Sequence, residues 1–208
     1  MERTLSDILA NEGIGSGDDR ITISSTGDIR KHGAATQWLD VVGSVLGLKL
    51  YDNKGTVDYD WEENAVMFAS EGDITKPEDR IIWNIQKDHN VKIDSELRPH
   101  IHFVQSDSVV REFTIQYRIQ ANGVAKETTW NTITATTESS NLVFDYVSGS
   151  MNQILLFPPI DWSGYGISST VNVRCTRTDA ESGDLEVTFI DAHVELDSDG
   201  SDTEFGKA

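Results

Sequence analysis

The sequence predicts a nearly all-β protein, a two-sheet β-sandwich of jelly-roll type with a short N-terminal helix and extension. Apolar and polar residues alternate with a period of two from Ile21 onward, as in half-buried strands. Clusters of Gly, Asn, Asp and Ser interrupt this alternation at short intervals, as turns do. The chain has neither the strand and helix alternation of parallel sheets nor a repeat of fixed period, which argues against α/β and repeat architectures.

The first 37 residues are predicted to be an N-terminal anchoring extension. Thr4 to Leu9 combine a capping hydroxyl, an acid three positions later and apolar residues at helical spacing, which predicts one short amphipathic helix. A helix of this length is unstable alone in water, so it must dock on its own sandwich or on a neighbouring protein. Gly13 to Asp19 lacks the lysine of a phosphate-binding loop and predicts a hinge, which one strand follows. The candidate interface residues of the helix are Leu5, Ile8 and Leu9.

The sandwich is predicted to span residues 38–196 with about ten strands. In the clearest strand, Phe113 to Ile119, the alternation is unbroken up to a turn at Asn122 and Gly123. Shorter apolar runs predict further strands at Leu48 to Leu50, Val66 to Phe68, Ile81 to Trp83, Thr128 to Thr134, Leu142 to Tyr146, Ile154 to Phe157 and Val171 to Cys175.

The last long strand carries an irregularity. Its apolar phase runs through Leu185 and Val187 and then slips by one residue, which predicts a β-bulge near Phe189 and Ile190. Residues 197–208 are acidic and small, and they predict a flexible, solvated tail.

Composition restricts the classes of partner. The 208 residues include 17 basic and 35 acidic side chains, for a net charge of −18. Such a charge repels phosphate backbones and anionic lipids, so neither nucleic acid nor membrane is expected as a partner. No apolar run reaches the roughly 20 residues of a membrane helix, and no signal peptide is recognised, so secretion by that route is not expected. Cys175, the only cysteine, excludes an internal disulfide and is expected to be buried.

The most conspicuous motif is a pair of histidines in the segment from Leu97 to Val104. On a strand, His100 and His102 project from one face, while Ile101 and Phe103 project from the other. The two imidazoles therefore lie side by side. They could hydrogen-bond across strands, or they could chelate a metal ion.

Two kinds of metal site are open alternatives to hydrogen bonding. In a cupin-like site, His100 and His102 would be joined by His193 and by Asp107 in place of the usual glutamate, although the framing glycines are absent. In a trimer, the pair could instead face the three-fold axis and share one structural ion. His193 is flanked on its strand face by Asp191 and Glu195, and a histidine held by carboxylates is the commoner outcome. Hydrogen bonding is the leading interpretation, so no metal or cofactor is expected.

No motif of nucleophilic catalysis is present. The sequence contains no Gly-x-Ser-x-Gly and no His-Glu-x-x-His, and paired carboxylates are too common in so acidic a chain to mark a glycosidase site. No catalytic or cofactor-binding residue is assigned, and the protein is not expected to be an enzyme.

Aromatic residues offer a further kind of site. Five tryptophans in a sandwich of this size are more often core or interface residues than the lining of a sugar-binding groove. The loop Phe157 to Gly166 is bounded by proline and glycine, and its aromatic content favours contact with a neighbouring protein through Trp162 and Tyr165. The residues that could line a sugar groove are Trp61, Trp83, Trp130, Trp162 and Tyr165.

Two stretches resemble a known family. Trp38-Leu39-Asp40-Val41 and, above all, Leu97-Arg98-Pro99-His100-Ile101-His102-Phe103 are similar to tailed-phage and prophage structural proteins with a leucine-x-proline-histidine-apolar-histidine-aromatic signature. The similarity runs from about Trp38 to Leu196. It implies a particle component without catalysis, of the kind that forms spikes, fibres or decorations on the head, neck or tail.

The expected function is therefore that of a non-enzymatic virion protein. The resemblance implies a homotrimeric collar or neck spike, or a head-attached fibre, docked through its N-terminus on other virion proteins of the neck, head or tail. It also implies a location in the virion, with assembly in the host cytoplasm. The first alternative is a carbohydrate- or receptor-binding module for a host-surface glycan, which requires an exposed tryptophan groove. The second is a cupin-like metal-dependent enzyme, which requires His100, His102 and His193 to converge on one ion.

Overall fold

The structure is a computed structural model, and it describes residues 14–16, 18–23, 29–33, 37–44, 57–60, 65–68, 72–76, 79–105, 107–144, 151–183 and 185–197. Within these ranges the chain forms strands, and residues Ser139–Asn141 form a 3-10 turn; the strand pairings described are all antiparallel. None of these residues belongs to a helix able to cross a bilayer. The predicted helix at residues 4–9, the strand at 48–50 and most of the acidic tail lie outside the described residues.

The strands follow one another along the chain as β1 Ile14–Ser16, β2 Asp19–Ile23, β3 Ile29–Lys31, β4 Gln37–Ser44, β5 Val57–Asp60, β6 Ala65–Phe68, β7 Ile81–Gln86, β8 Glu96–Gln105, β9 Glu112–Gln120, β10 Asn131–Thr136, β11 Met151–Leu156, β12 Ile160–Asp161, β13 Thr170–Arg177 and β14 Leu185–Leu196.

Two sheets form the sandwich. The small sheet has the order β10-β9-β13-β7, and the large sheet has the order β11-β8-β14-β6-β5. β4 pairs with the second half of β14, and the short β12 pairs with the start of β8. The chain crosses between the sheets from β6 to β7, from β7 to β8, from β8 to β9, from β10 to β11, from β12 to β13 and from β13 to β14. This architecture confirms the predicted all-β sandwich of jelly-roll type.

The core lies between the two sheets, because alternate residues of each strand point inward. In β7 the pattern is strict, with Ile81, Trp83 and Ile85 buried and the residues between them exposed. Phe68 of the large sheet meets Phe113 of the small sheet edge to face, with ring centroids 5.5 Å apart. The predicted burial of the cysteine is confirmed, since the side chain of Cys175 belongs to this core, where burial raises the pKa of its thiol.

The predicted β-bulge is present in β14. The register against β8 shifts between Val187 and Phe189, which leaves Thr188 as the extra residue. After the bulge, Ile190 and Ala192 point into the core, while Phe189, Asp191 and His193 point to the outer face of the large sheet. The bulge therefore decides which side chains of β14 can meet those of β8.

Three segments differ from the sequence prediction. The glycine-rich stretch expected as a hinge contains β1, which pairs with β2 in a three-stranded sheet β1-β2-β3 where one strand was predicted. The strand expected from Thr128 begins only at Asn131, because the Glu127 carboxylate accepts the backbone N–H groups of residues 128 and 129. In the run expected from Leu142, only an isolated bridge to Leu155 forms within residues 142–144.

The loop predicted as a protein contact packs on its own sandwich. Trp162, assigned to an interface, is fully buried, and its ring lies 5.1 Å from the ammonium group of Lys87. Tyr165 is half-buried and packs against the core. Trp162 has no exposed surface for a neighbour, because the loop folds over the edge of the core as a rim.

Candidate functional site

The two histidines of the motif stand on the outer face of the large sheet. β8 is a central strand whose residues Leu97, Ile101 and Phe103 are fully buried in the core. His100 and His102 project to the opposite side, as the alternation predicted. The strand β14 lies directly beside them, so its outward residues complete the site.

Asp191 of β14 faces both imidazoles. It is the direct cross-strand partner of His100, whose Nε2 lies 2.6 Å from its Oδ1. The Nε2 of His102 lies 3.5 Å from Oδ2 of the same carboxylate. One nitrogen of each ring and one oxygen of the carboxylate lie within 4.8 Å of one another. The cluster is therefore a two-histidine, one-carboxylate group, which we call the His-Asp triad.

Burial makes this triad unusual for an outer sheet face. His100 is 2% exposed and Asp191 is 5% exposed, whereas the side chain of His102 is 24% exposed. Burial alone would lower the pKa of His100, but contact with the Asp191 carboxylate and its negative charge outweigh burial and raise it. Oδ1 of Asp191 makes this 2.6 Å contact with His100 but accepts no hydrogen bond of regular geometry.

His193 forms a separate pair beside the triad. Its Nε2 lies 2.7 Å from Oδ1 of Asp40 on β4, and both side chains are largely exposed. Its ring packs on that of His100 with centroids 4.4 Å apart. A carboxylate therefore holds His193, but it comes from β4 rather than from Asp191 or Glu195.

The donor set proposed for a cupin-like site is brought together only in part, since the rings of His100, His102 and His193 are neighbours but Asp107 is not among them. Asp107 lies 2.6 Å from Nη1 of the buried Arg111, and this contact lowers the pKa of its carboxyl to about 2. His193 is paired with Asp40, and the imidazoles of His100 and His102 point away from the core. Sequence reasoning placed the two imidazoles together but did not identify Asp191 as their shared partner.

A second cluster occupies the outer face of the small sheet. The guanidinium groups of Arg118 on β9 and Arg174 on β13 lie 4.6 and 4.1 Å from the ring centre of Trp130. Nε of Arg118 donates to Oδ1 of Asn172 at 3.1 Å, and Asn172 donates to Asn84 at 2.9 Å. Both Nε and Nη2 of Arg174 donate to the Gln116 side chain. These cross-strand bonds fix the side chains in place.

The cluster of Arg118, Arg174 and Trp130, which we call the arginine face, concentrates positive charge in an acidic protein. Arg80 lies beside it, and burial together with the charges of Arg80 and Arg118 lowers the pKa of Arg174. Among the residues that the structure describes, no carboxylate oxygen lies within 4.0 Å of a guanidinium nitrogen of Arg80, Arg118 or Arg174, so none of the three forms an ion pair there. Arg80 instead donates to the carbonyl oxygens of Ile74 and Thr75.

The arginine face forms a groove of about 380 Å³. This is near the lower end of the roughly 300–1,000 Å³ found for small-molecule sites. Sequence analysis did not assign the arginines to a site. A signal was present, because Arg118 and Arg174 each occupy an outward position in the alternation of a predicted strand. The groove is lined by Arg80, Ile82, Asn84, Arg118, Trp130, Asn172, Val173 and Arg174.

The tryptophans divide between core and surface. Trp83 and Trp162 belong to the core, whereas Trp130 is half-buried in the groove. Trp38 is 50% exposed on the outer face of the large sheet, where Arg98 lies 4.6 Å from its ring centre. Trp61 and the predicted interface residues Leu5, Ile8 and Leu9 lie outside the described residues.

Two solved structures are weakly similar to this chain, at TM-scores below 0.4. The chain matches no protein-family model and no curated protein sequence. It is similar to a solved structure of the xylan-binding module CBM15, with 14% identity and a TM-score of 0.39 over 77% of this chain and 97% of that one. It is also similar to dimeric latent PorU from Porphyromonas gingivalis, with 11% identity and a TM-score of 0.31 over 78% of this chain and 13% of that one. At these scores neither likeness bears on the ligand.

Proposed function

We propose that this chain is a non-catalytic binding module whose small-sheet face binds an acidic carbohydrate. The observation that carries the proposal is the arginine face, where Arg118 and Arg174 stack on Trp130 without a carboxylate partner among the described residues. In a chain of net charge −18, such a cluster creates a local site for an anion.

The chemistry of the face fits a sugar that carries a carboxylate. A guanidinium group offers paired N–H donors that match a carboxylate in two parallel hydrogen bonds. The side chains of Asn84, Asn172 and Gln116 add amide donors and acceptors of the kind that bind sugar hydroxyls. Ile82, which is 37% exposed, adds an apolar contact for the C–H face of a sugar ring. Uronic acids combine all three of these features.

The order of the groove also supports binding. The hydrogen bonds from Arg118 to Asn172 and from Arg174 to Gln116 hold both guanidinium groups before a ligand arrives. Fixing these long side chains in advance reduces the entropy that binding must otherwise lose. Six of the eight groove residues lie on strands β7, β9 and β13, and Arg80 and Trp130 directly precede strands β7 and β10, which favours a defined binding geometry.

The test is calorimetric titration with oligogalacturonate, with a neutral xylo-oligosaccharide of equal length as the comparator. We expect the acidic sugar to bind more tightly and to weaken as salt is raised to about 0.5 M. A charge-assisted hydrogen bond is worth about 1.5–3 kcal/mol, so Arg174→Ala should weaken binding by roughly tenfold or more. Trp130→Ala should have a similar effect, because it removes the support of both guanidinium groups.

Trp38→Ala is the matched control, because Trp38 also carries a stacked arginine but lies on the other sheet. It should leave binding unchanged. Equal affinity for the neutral sugar, or for single-stranded DNA of equal charge, would contradict the proposed specificity for an acidic carbohydrate.

A second proposal concerns assembly. We propose that the module acts in symmetric copies, as a homotrimeric structural component of a tailed-phage particle. The resemblance of the β8 segment to phage structural proteins supports this, as do three exposed apolar side chains on the outer face of the large sheet. These are Trp38, Phe189 and Leu156, which are 50%, 48% and 42% exposed.

Light scattering of the purified chain tests this assembly. A trimer is expected, and Phe189→Glu should shift it toward monomer because a charge would enter the contact. Val124→Glu is the control, since Val124 is 62% exposed in a loop of the other sheet. A monomer at all concentrations, or a trimer insensitive to Phe189→Glu, would contradict assembly through this face.

A further inference from the structure

We infer that the His-Asp triad of His100, His102 and Asp191 is a binding site for one divalent transition-metal ion of the zinc class per chain. The site lies on the large sheet, so it is independent of the carbohydrate site proposed on the small sheet. Its three donors come from two adjacent central strands of a single chain. No second copy is needed to complete the three-donor set.

The geometry of the donors fits an ion of this size. Zinc bonds to imidazole nitrogen at about 2.0–2.1 Å, which places neighbouring ligand atoms roughly 3.3 Å apart in a tetrahedron. The Nε2 atoms of His100 and His102 lie 2.6 and 3.5 Å from the two oxygens of Asp191, on either side of that value. Small rotations of the imidazole rings are enough to admit an ion, and the strands need not move.

The buried carboxylate is the independent observation that points to a ligand. Burying a carboxylate costs several kcal/mol unless its oxygens are bonded, and Oδ1 of the 5%-exposed Asp191 has only a 2.6 Å contact with the His100 imidazole that falls short of regular hydrogen-bond geometry. An ion between this oxygen and the two imidazoles would satisfy it. Nδ1 of His100 lies 3.5 Å from the carbonyl oxygen of Arg98, which favours the tautomer that presents Nε2 to the ion.

The donor set selects the class of ion. Two imidazoles and one carboxylate are the ligands of zinc and of neighbouring transition metals, whereas magnesium and calcium prefer oxygen ligands alone. With three protein donors, a tetrahedral ion keeps one position free. The partial exposure of His102 leaves that position open to water or to a donor from another molecule.

The experiment is a calorimetric titration of the full chain, first stripped of metal by a chelator, with Zn²⁺ and separately with Mg²⁺. We expect one Zn²⁺ per chain and no comparable binding of Mg²⁺. Co²⁺ should give visible absorption bands of a low-coordinate site, which Zn²⁺ should abolish by displacement. Zn²⁺ should also raise the unfolding temperature, because it binds the folded chain alone.

Variants separate the triad from its neighbours. His102→Ala should weaken Zn²⁺ binding by at least about tenfold, since it removes a ligand from the most exposed position of the site. His102→Gln, which keeps a polar side chain, provides the same test if the alanine variant does not fold. His193→Ala is the matched control, because His193 touches His100 but is paired with Asp40, and it should bind Zn²⁺ as the wild type does.

Several results would overturn the inference. Absence of Zn²⁺ binding would leave the triad as an imidazole and carboxylate cluster only. One ion per three chains would move the site to a symmetry axis. Equal binding of Mg²⁺, or unchanged Zn²⁺ binding in both His102 variants, would assign the ion to the general acidic surface. Carbohydrate binding is measured separately, so failure here leaves the proposed function standing.

Discussion

Lys87→Met is expected to destabilise the fold while leaving the volume of the side chain nearly unchanged. Lys87 is fully buried at the end of β7, and its ammonium group donates to the carbonyl oxygens of Ile93, Trp162 and Tyr165 at 2.7, 3.1 and 3.0 Å. These bonds tie the aromatic loop to the sandwich. Methionine keeps the apolar stem but leaves three carbonyl groups without this donor.

The expected loss in free energy of unfolding follows from those three bonds. Each hydrogen bond contributes about 1 kcal/mol net, and leaving a buried carbonyl unsatisfied costs about 1–3 kcal/mol, so a loss of about 3 kcal/mol is expected. The three unsatisfied carbonyl groups alone would cost more than this. Methionine, however, also removes the cost of burying a charge, and this gain offsets part of the loss.

Urea unfolding followed by tryptophan fluorescence measures this difference. The midpoint should fall with little change in slope, since the surface exposed on unfolding is nearly the same. Lys92→Met is the control, because Lys92 is partly exposed and pairs with Glu195 at 3.0 Å, so its loss should cost no more than about 1 kcal/mol. The free energy of unfolding of Lys87→Met could instead lie within about 0.5 kcal/mol of the wild-type value, roughly half the expected effect of a single bond. In that case the ammonium group does not hold the loop.

Two further predictions concern the loops that enclose Arg111. Gly183→Ala should lower the unfolding temperature, because Gly183 has a φ of 95° and an added Cβ would lie 2.8 Å from Nη2 of Arg111. Gly164→Ala is the control, since a Cβ added there has no atom within 4 Å. The second prediction concerns Asp107, whose pKa is lowered to about 2, mainly by the hydrogen bond from Arg111. The charged carboxylate therefore stabilises the fold fully above the ordinary carboxyl pKa of about 4, and this contribution is lost as the pH falls through about 2. Thermal unfolding between pH 6 and about 2 should therefore show a smaller acid-induced drop for Asp107→Asn than for the wild type; equal drops would exclude this ion pair as a source of acid sensitivity.

Local patterns in the sequence predicted much of the sandwich. Strand β9 was predicted almost in full, because its alternation is unbroken and one face is buried. The bulge was predicted within one residue of Thr188, since a slip in the apolar phase of β14 leaves no other way to keep both halves facing the core. Such features depend on neighbours in sequence, and a single chain displays them.

The His-Asp triad could be predicted only in part. The spacing of His100 and His102 places them on one face of any strand, and this holds in the structure. Their partner Asp191 depends on the register between β8 and β14, which are about 90 residues apart in sequence, and on the bulge between them. No local pattern specifies such a register.

The aromatic loop shows how a local signal can mislead. Aromatic content favoured a protein contact, yet Trp162 is a core residue. The alternation Ile81, Trp83, Ile85 continues inward to Lys87, so a lysine at a core position was visible in the sequence. A buried lysine needs several acceptors, and loop carbonyl groups are suited to that role.

The arginines of this chain fall into two groups that differ in their partners. Arg111 and Arg177 are fully buried, and each pairs with a nearby aspartate while donating to loop carbonyl groups, so their charges are neutralised in place. Arg118 and Arg174 instead stack on Trp130 at the surface and bond only to neutral groups among the described residues. With 35 acidic residues against 17 basic ones, partners for these arginines were abundant.

The two candidate sites therefore carry opposite charge on opposite sheets. The arginine face attracts an anion, whereas Asp191 and Asp40 lie on the large-sheet face and attract a cation. One ligand cannot satisfy both faces, and no side chain is shared between them. His102→Ala should consequently leave oligogalacturonate binding unchanged, and Trp130→Ala should leave Zn²⁺ binding unchanged. If either variant abolished both activities, the losses would reflect a damaged fold rather than two separate sites.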